Sequence, residues 1–227
     1  MTQETWNFLL SLTVAPAALI GIFRLKRVEQ SYYPFIIYLI ASLANELLVG
    51  LALDPSMKSA RTLDWQLFNL FESIILFVQF YYWKVFERYK KLFLGLFILM
   101  VSGWILENFI LGNIYQFNPI YLIGYSFILV LLSVQTINHI IVHQNSSPLH
   151  RNAMFIICVA LVIYFIYNIF VFTLLAKGIN SKRLMNQVFD IKVYVNAFTN
   201  LLYVIAVLLI PEKISRKNFF TSSEKNP

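Results

Sequence analysis

Reactive chemistry is scarce in this sequence. It holds one cysteine, Cys158, set inside an apolar run, which excludes an internal disulfide and a cysteine-rich metal site. Charge is scarce as well: 13% of the residues are Asp, Glu, Lys or Arg, whereas ordinary soluble domains carry about 25%. Neither an internal repeat nor a low-complexity segment is visible. The first apolar run has no basic stretch before it and no small-residue cleavage pattern after it, so no cleavable signal peptide is expected. No nucleophile–base pair or set of metal ligands gathers in one region, which argues against an enzyme and leaves no cofactor to expect.

What the chain has in abundance is apolar bulk. Of its 227 residues, 59% are hydrophobic, and the mean hydropathy is +0.69. A soluble domain of this length cannot bury that much apolar surface, so the surplus is expected to face a lipid bilayer. The net charge of +7 does not point to nucleic acid, because the basic residues sit in short clusters beside apolar runs, where topology signals belong.

The apolar runs predict an all-α fold, an integral membrane bundle of seven transmembrane helices spanning about 7–23, 34–53, 64–83, 92–111, 119–142, 153–176 and 188–210. The runs are too long for strands, and only helices or closed barrels satisfy the backbone in lipid. Residues 1–210 then form one domain, and 211–227 a short cytoplasmic tail. Pro34 and Pro119 suit helix starts, Asp54-Pro55-Ser56 marks a turn, and Pro211 stops the last span. Only Pro16 interrupts a span. With the N-terminus outside, 12 Lys and Arg fall on the inner side and 6 on the outer. The positive-inside rule therefore orients the N-terminus outward and the C-terminus into the cytoplasm of a cell membrane.

Polar side chains inside spans are costly and usually face the bundle interior. The second span carries Asn45 and Glu46, the third Asn69, Glu72 and Gln79, the fourth Glu107 and Asn108, the sixth Asn168. In the seventh, Lys192, Asn196, Thr199, Asn200 and Tyr203 form one stripe at helical spacing. Tyr121, Tyr125, Gln135 and His139 align on the fifth. At about 1.5 Å rise per residue, the three glutamates, Asn168, Lys192 and Asn196 all lie in the outer half of the bilayer. The expected result is a polar chamber opening outward above a more apolar plug, broken mainly by Gln79, Gln135 and Asn138. Carboxylates there must be neutralised or find a cation, and Lys192 is the expected intramembrane partner. The candidate ligand- or ion-binding set is Glu46, Glu72, Asn45, Asn69, Glu107, Asn168, Lys192, Asn196 and Asn200. Amides that bridge helices and a lysine that snorkels would explain part of it structurally.

Two short patterns carry less. His139 and His143 are spaced i, i+4, but no acid or cysteine on the inner side completes a metal site, so His139, His143 and His150 read as interfacial. Arg61, Asp64 and Trp65 spell a pattern that resembles one around the retinal counter-ion of microbial rhodopsins. That family places its Schiff-base lysine four residues after an aspartate of the last helix. Here the residue four beyond Asp190 is Tyr194, and Lys192 is displaced from the required position.

Three function classes remain: a receptor-like sensory subunit that acts through a separate cytoplasmic or membrane partner, a small-molecule or proton/cation-coupled transporter, and an accessory subunit. One-sided polarity and largely unbroken helices favour the first. Transporters tend to show repeats and helices broken at mid-membrane.

Overall fold

The computed structural model describes residues 3–54, 56–143, 148–177 and 182–213. The structure is all-helical, 84% helix, with no strand among the described residues. Most of the expected tail, and the Lys182 and Arg183 side chains, lie outside what is described.

Eight α-helices follow one another among the described residues: α1 (Gln3–Ser11), α2 (Ala15–Arg24), α3 (Tyr33–Leu47), α4 (Lys58–Tyr82), α5 (Lys90–Ile105), α6 (Ile120–His143), α7 (Ala153–Ala176) and α8 (Lys182–Leu209). A 3₁₀ turn, Leu12–Val14, joins α1 directly to α2, and Pro16 sits in the first turn of α2, where its missing N–H costs nothing. α3 and α5 each run on into a π-helical turn, Leu48–Ala52 and Leu106–Leu111. Both π turns extend these spans to the ends expected from hydropathy.

Six stretches are long and apolar enough to cross a membrane: Trp6–Arg24, Gln30–Ala52, Lys90–Leu111, Ile120–His143, Ala153–Ala176 and Gln187–Leu209. α4 is long enough at 25 residues but more polar. It also starts six residues before the expected span, with Lys58 and Arg61 in its first turns. The bundle's surface is apolar: Leu51, Leu94, Ile110, Ile120, Phe127 and Leu201 are all exposed. A surface of this kind fits lipid contact.

The helices close a ring. The α1–α2 segment packs on α3, α3 on α4, α4 on α6, α6 on α7, α7 on α8, and α8 back on α1 and α2, while α5 lies outside against α4 and α6. One end of this ring holds the N-terminus, both π turns and the starts of α4, α6 and α8. The other end holds the 25–32, 83–89 and 148–152 connections and residues 210–213.

Side chains satisfy the helix ends that packing leaves open. Gln79 of α4 spans the start of α3, its Oε1 accepting from Phe35 N at 2.8 Å and its Nε2 donating to the Ser31 carbonyl at 2.6 Å. The Arg24 guanidinium donates to the Val207, Leu208 and Ile210 carbonyls at the end of α8. Asn152 caps α7 by accepting from Phe155 N at 3.1 Å. The chain after α4 turns through Lys84 at φ 60°, with Val85 N bonded to the Phe80 carbonyl at 3.1 Å. Val28 pairs with Glu212 in an isolated antiparallel bridge, which ties the α2–α3 connection to the residues after α8.

The structure corrects one expected face. On α6, Tyr121 and Tyr125 are buried, but Gln135 and His139 are exposed; the buried face continues through Leu129, Leu132, Ser133, Thr136 and Ile140. Asn138 is exposed as well. The buried face centres on Leu129, Thr136 and Ile140 with Tyr121 at its edge, so Gln135, Asn138 and His139 lie at or beyond that edge.

Candidate functional site

A cavity of about 730 Å³ occupies the N-terminal end of the ring and is lined by α1, α3 and its π turn, α4, α6, α7 and α8. α3 and its π turn contribute Asn45, Glu46, Val49 and Gly50; α4 contributes Arg61, Trp65, Asn69 and Glu72. α7 adds Tyr164 and Asn168, and α8 adds Lys192 and Asn196. A recess of about 380 Å³ adjoins it past Glu46 and Arg61, toward Asp64 and Phe117.

The π turn matters locally. Its wider winding, with Leu53 N reaching the Leu48 carbonyl at 3.2 Å, sets Val49 and Gly50 on the cavity wall. Gly50 is required there by close approach, because a Cβ would overlap the Phe8 ring of α1.

Glu72 forms the floor. It is 3% exposed, and each of its oxygens accepts a phenol: Oε1 from Tyr38 at 3.0 Å, and Oε2 from Tyr125 at 2.6 Å. The same Tyr125 hydroxyl lies 3.3 Å from Asn69 Oδ1. Three helices, α3, α4 and α6, are therefore joined through one carboxylate. Beneath it the ring is filled by Phe35, Leu39, Phe77, Phe80 and Tyr203, all 2% exposed or less. Phe35 and Tyr203 meet edge to face, with centroids 5.2 Å apart.

Glu46 and Lys192 are held differently. Glu46 is half-buried with the Ser11 hydroxyl beside it, and among the described residues no cation lies within 4.0 Å. The Lys192 ammonium stands over the Phe172 ring, 4.4 Å from its centroid, and its field reaches both Glu72 and Glu46 without salt-bridge contact to either. Arg61, at the rim, spends its donors on the Val49 and Leu53 carbonyls at 3.1–3.3 Å, closing the π turn.

Two buried amide atoms on the wall have no partner among the described residues, Asn69 Nδ2 and Asn168 Oδ1; the residues are 5% and 2% exposed. A buried amide without a partner costs about 1–3 kcal/mol. One donor and one acceptor therefore stand unmet in the same cavity.

Of the residues singled out by sequence, the cavity gathers Asn45, Glu46, Asn69, Glu72, Asn168, Lys192 and Asn196. Glu107 and Asn200 stand elsewhere. Glu107 is 6% exposed, and its Oε1 and Oε2 accept from Ile120 N at 2.8 Å and Tyr121 N at 2.7 Å, so it caps α6 from the α5 side. Asn200 Nδ2 donates to Thr13 Oγ1 at 3.0 Å, tying α8 to the turn after α1. Sequence reasoning passed over Tyr38; it set Tyr125 and Tyr164 on polar faces without adding them to the binding set, and read Arg61 only as a topology charge and as part of the rhodopsin-like pattern. Tyr38 and Glu72 lie on different helices, and no sequence spacing links them.

A second recess of about 300 Å³ lies at the opposite end, lined by Glu29, Ser31, Tyr32, Arg151 and Asn152 among others. His139 and His143 stack, with ring centroids 4.5 Å apart, on an exposed face. Among the described residues no three His, Cys, Asp or Glu side chains group as a metal site.

Compared with protein-family models, with curated proteins and with solved structures, the chain matches none.

Proposed function

We propose that this chain is a seven-span receptor-like membrane subunit. Its N-terminus faces outside and its C-terminus the cytoplasm of a cell membrane. Its outward cavity binds a small ligand or ion, and a separate cytoplasmic partner carries the response. The observation that carries this reading is one cavity of about 730 Å³ that collects two carboxylates, a lysine and two buried amide atoms without a partner among the described residues, above an apolar layer.

α4 is the seventh span in this reading. Its Gln66, Asn69, Glu72, Ser73 and Gln79 are buried, so lipid would meet only its apolar faces. Outward placement of the cavity follows from the basic residues clustered at the opposite end, among them Arg24, Lys26, Arg27, Lys84 and Arg88. The apolar layer beneath Glu72, built of Phe35, Leu39, Phe77 and Phe80, supports signalling over passage.

Asn168→Cys in intact cells tests the reading, with a membrane-impermeant methanethiosulfonate reagent added outside. Labelling is expected, with the fully buried Cys158 silent. Labelling confined to inverted vesicles would overturn the orientation, and no labelling from either side would overturn an open chamber. Transport is the second reading, favoured by the recess at the far end. Solute uptake by proteoliposomes holding this protein alone would establish it.

A further inference from the structure

The ionic groups around the cavity divide by how much of their bonding capacity the protein itself uses. Glu72 has a phenol on each oxygen. Arg61 is committed to two backbone carbonyls. Among the described residues Glu46 has one hydroxyl beside it, and the Lys192 ammonium has a ring face and no carboxylate within salt-bridge range. Opposite charges that share a cavity without touching are costly to hold apart in a low dielectric. Each gains most from a ligand group of the other sign.

We infer that the cavity's ligand is a small zwitterion of the amino-acid class, its ammonium received by Glu46, its carboxylate by Lys192 and its apolar side chain by the cavity's aromatic wall. The inference rests on the reading of the cavity as a ligand chamber. Asn168 Oδ1 is an acceptor suited to a second ammonium hydrogen, and Asn69 Nδ2 a donor suited to a carboxylate oxygen. Phe8, Phe68, Trp65 and Phe189 supply the apolar wall. A volume of about 730 Å³ lies within the roughly 300–1,000 Å³ of small-molecule sites. A simple cation would leave Lys192 unmatched and repelled, and a simple anion would do the same to Glu46.

The test uses the full chain in nanodiscs and a ligand cut in two. L-phenylalanine, other natural L-amino acids, phenethylamine and 3-phenylpropionate are compared by calorimetric titration. At least one amino acid is expected to bind about ten-fold or more tightly than its amine and acid halves, since a site built for a polar group penalises its loss. Glu46→Gln should then bind that amino acid no better than the acid half. Lys192→Gln should bind it no better than the amine half, while Lys192→Arg, which keeps the charge, should retain binding and show that the site still folds. If phenethylamine or 3-phenylpropionate binds as tightly as the whole molecule, or if no amino acid binds, the zwitterion is wrong. Labelling of Asn168→Cys in the same nanodiscs would then leave the chamber standing, and failure of that labelling would remove both.

Discussion

Removing the Glu107 side chain should destabilise the bundle and leave the cavity as it is. The carboxylate accepts two backbone N–H groups, Ile120 and Tyr121, at the first turn of α6, while 6% exposed. Hydrogen bonds to a charged group are worth about 1.5–3 kcal/mol each, and an anion at a helix N-terminus adds about 0.3–1 kcal/mol. Polar bonds between helices in a membrane average nearer 0.6 kcal/mol, because the unfolded reference also finds partners. Weighing these, Glu107→Ala should cost about 3 kcal/mol, the two orphaned amides dominating.

Glu107→Gln is not conservative here. Its one carbonyl oxygen can serve one amide, and its NH2 would point a donor at the other. A cost of about 1–2 kcal/mol is expected for it. Both variants are measured by reversible unfolding in mixed micelles, followed by far-ultraviolet circular dichroism. A Glu107→Ala variant within about 0.5 kcal/mol of the parent would refute the cap. So would a variant of full stability that lost outside labelling of a cysteine at position 168, since Glu107 would then belong to the chamber.

Three further outcomes follow from the geometry. Gly50→Ala should displace the Phe8 ring from the cavity wall at about 1–3 kcal/mol for overpacking; Phe8→Ala in the same chain should recover outside labelling at position 168 if the ring is the obstacle. Tyr125→Phe removes the 2.6 Å donor to Glu72 and should cost about 1–3 kcal/mol in unfolding free energy; adding Glu72→Leu should cost less than the sum of the two single changes, and strict additivity would deny the coupling. Lys84→Gly, at φ 60°, should raise stability by about 0.5–1 kcal/mol, because a left-handed L-residue costs about 1–2 kcal/mol and glycine returns part of that as chain entropy.

The helices were legible because lipid solvation imposes one strong rule, an apolar run of sufficient length, and six of the runs obey it without interruption. α4 broke the rule because it faces the interior with Gln66, Asn69, Glu72 and Gln79, so its outward polarity is lower than its sequence suggests. The shared level of Glu46, Glu72, Asn168 and Lys192 along the bundle was legible, since rise per residue and helix direction bring them together without tertiary knowledge. Rotation was not. Glu107 lies at the same end as the cavity, yet its helix runs outside the ring, so its side chain reaches α6 and not the chamber. Gln135 and His139 are misjudged for the same reason: their spacing to Tyr121 fixes a shared side of the helix but not where the buried face, centred on Leu129 and Ile140, ends. The π turn at Leu48–Ala52 has no local signal beyond Gly50, whose reason is a ring from another helix.

Burial alone does not separate site from scaffold in a bundle where buried polar groups are frequent. Gln79, Glu107 and Arg24 are all polar groups bound to backbone at helix ends, and each is explained fully by the bonds it makes. Glu72 is intermediate. Its two phenols stiffen the floor, so a ligand reaching it must displace Tyr38 or Tyr125 and repay a bond already made. A newcomer gains most where the protein has made the fewest bonds of its own. That places first contact at Glu46 and Lys192, on α3 and α8, two helices that both flank the α1–α2 segment. A ligand drawing those residues together would pull on the ring where α2 meets α8, and Arg24 locks that junction at the far end through three carbonyls. Arg24→Ala should therefore weaken any transmitted response while leaving ligand affinity nearly unchanged. Equal loss of both would mean that the far end is only a cap.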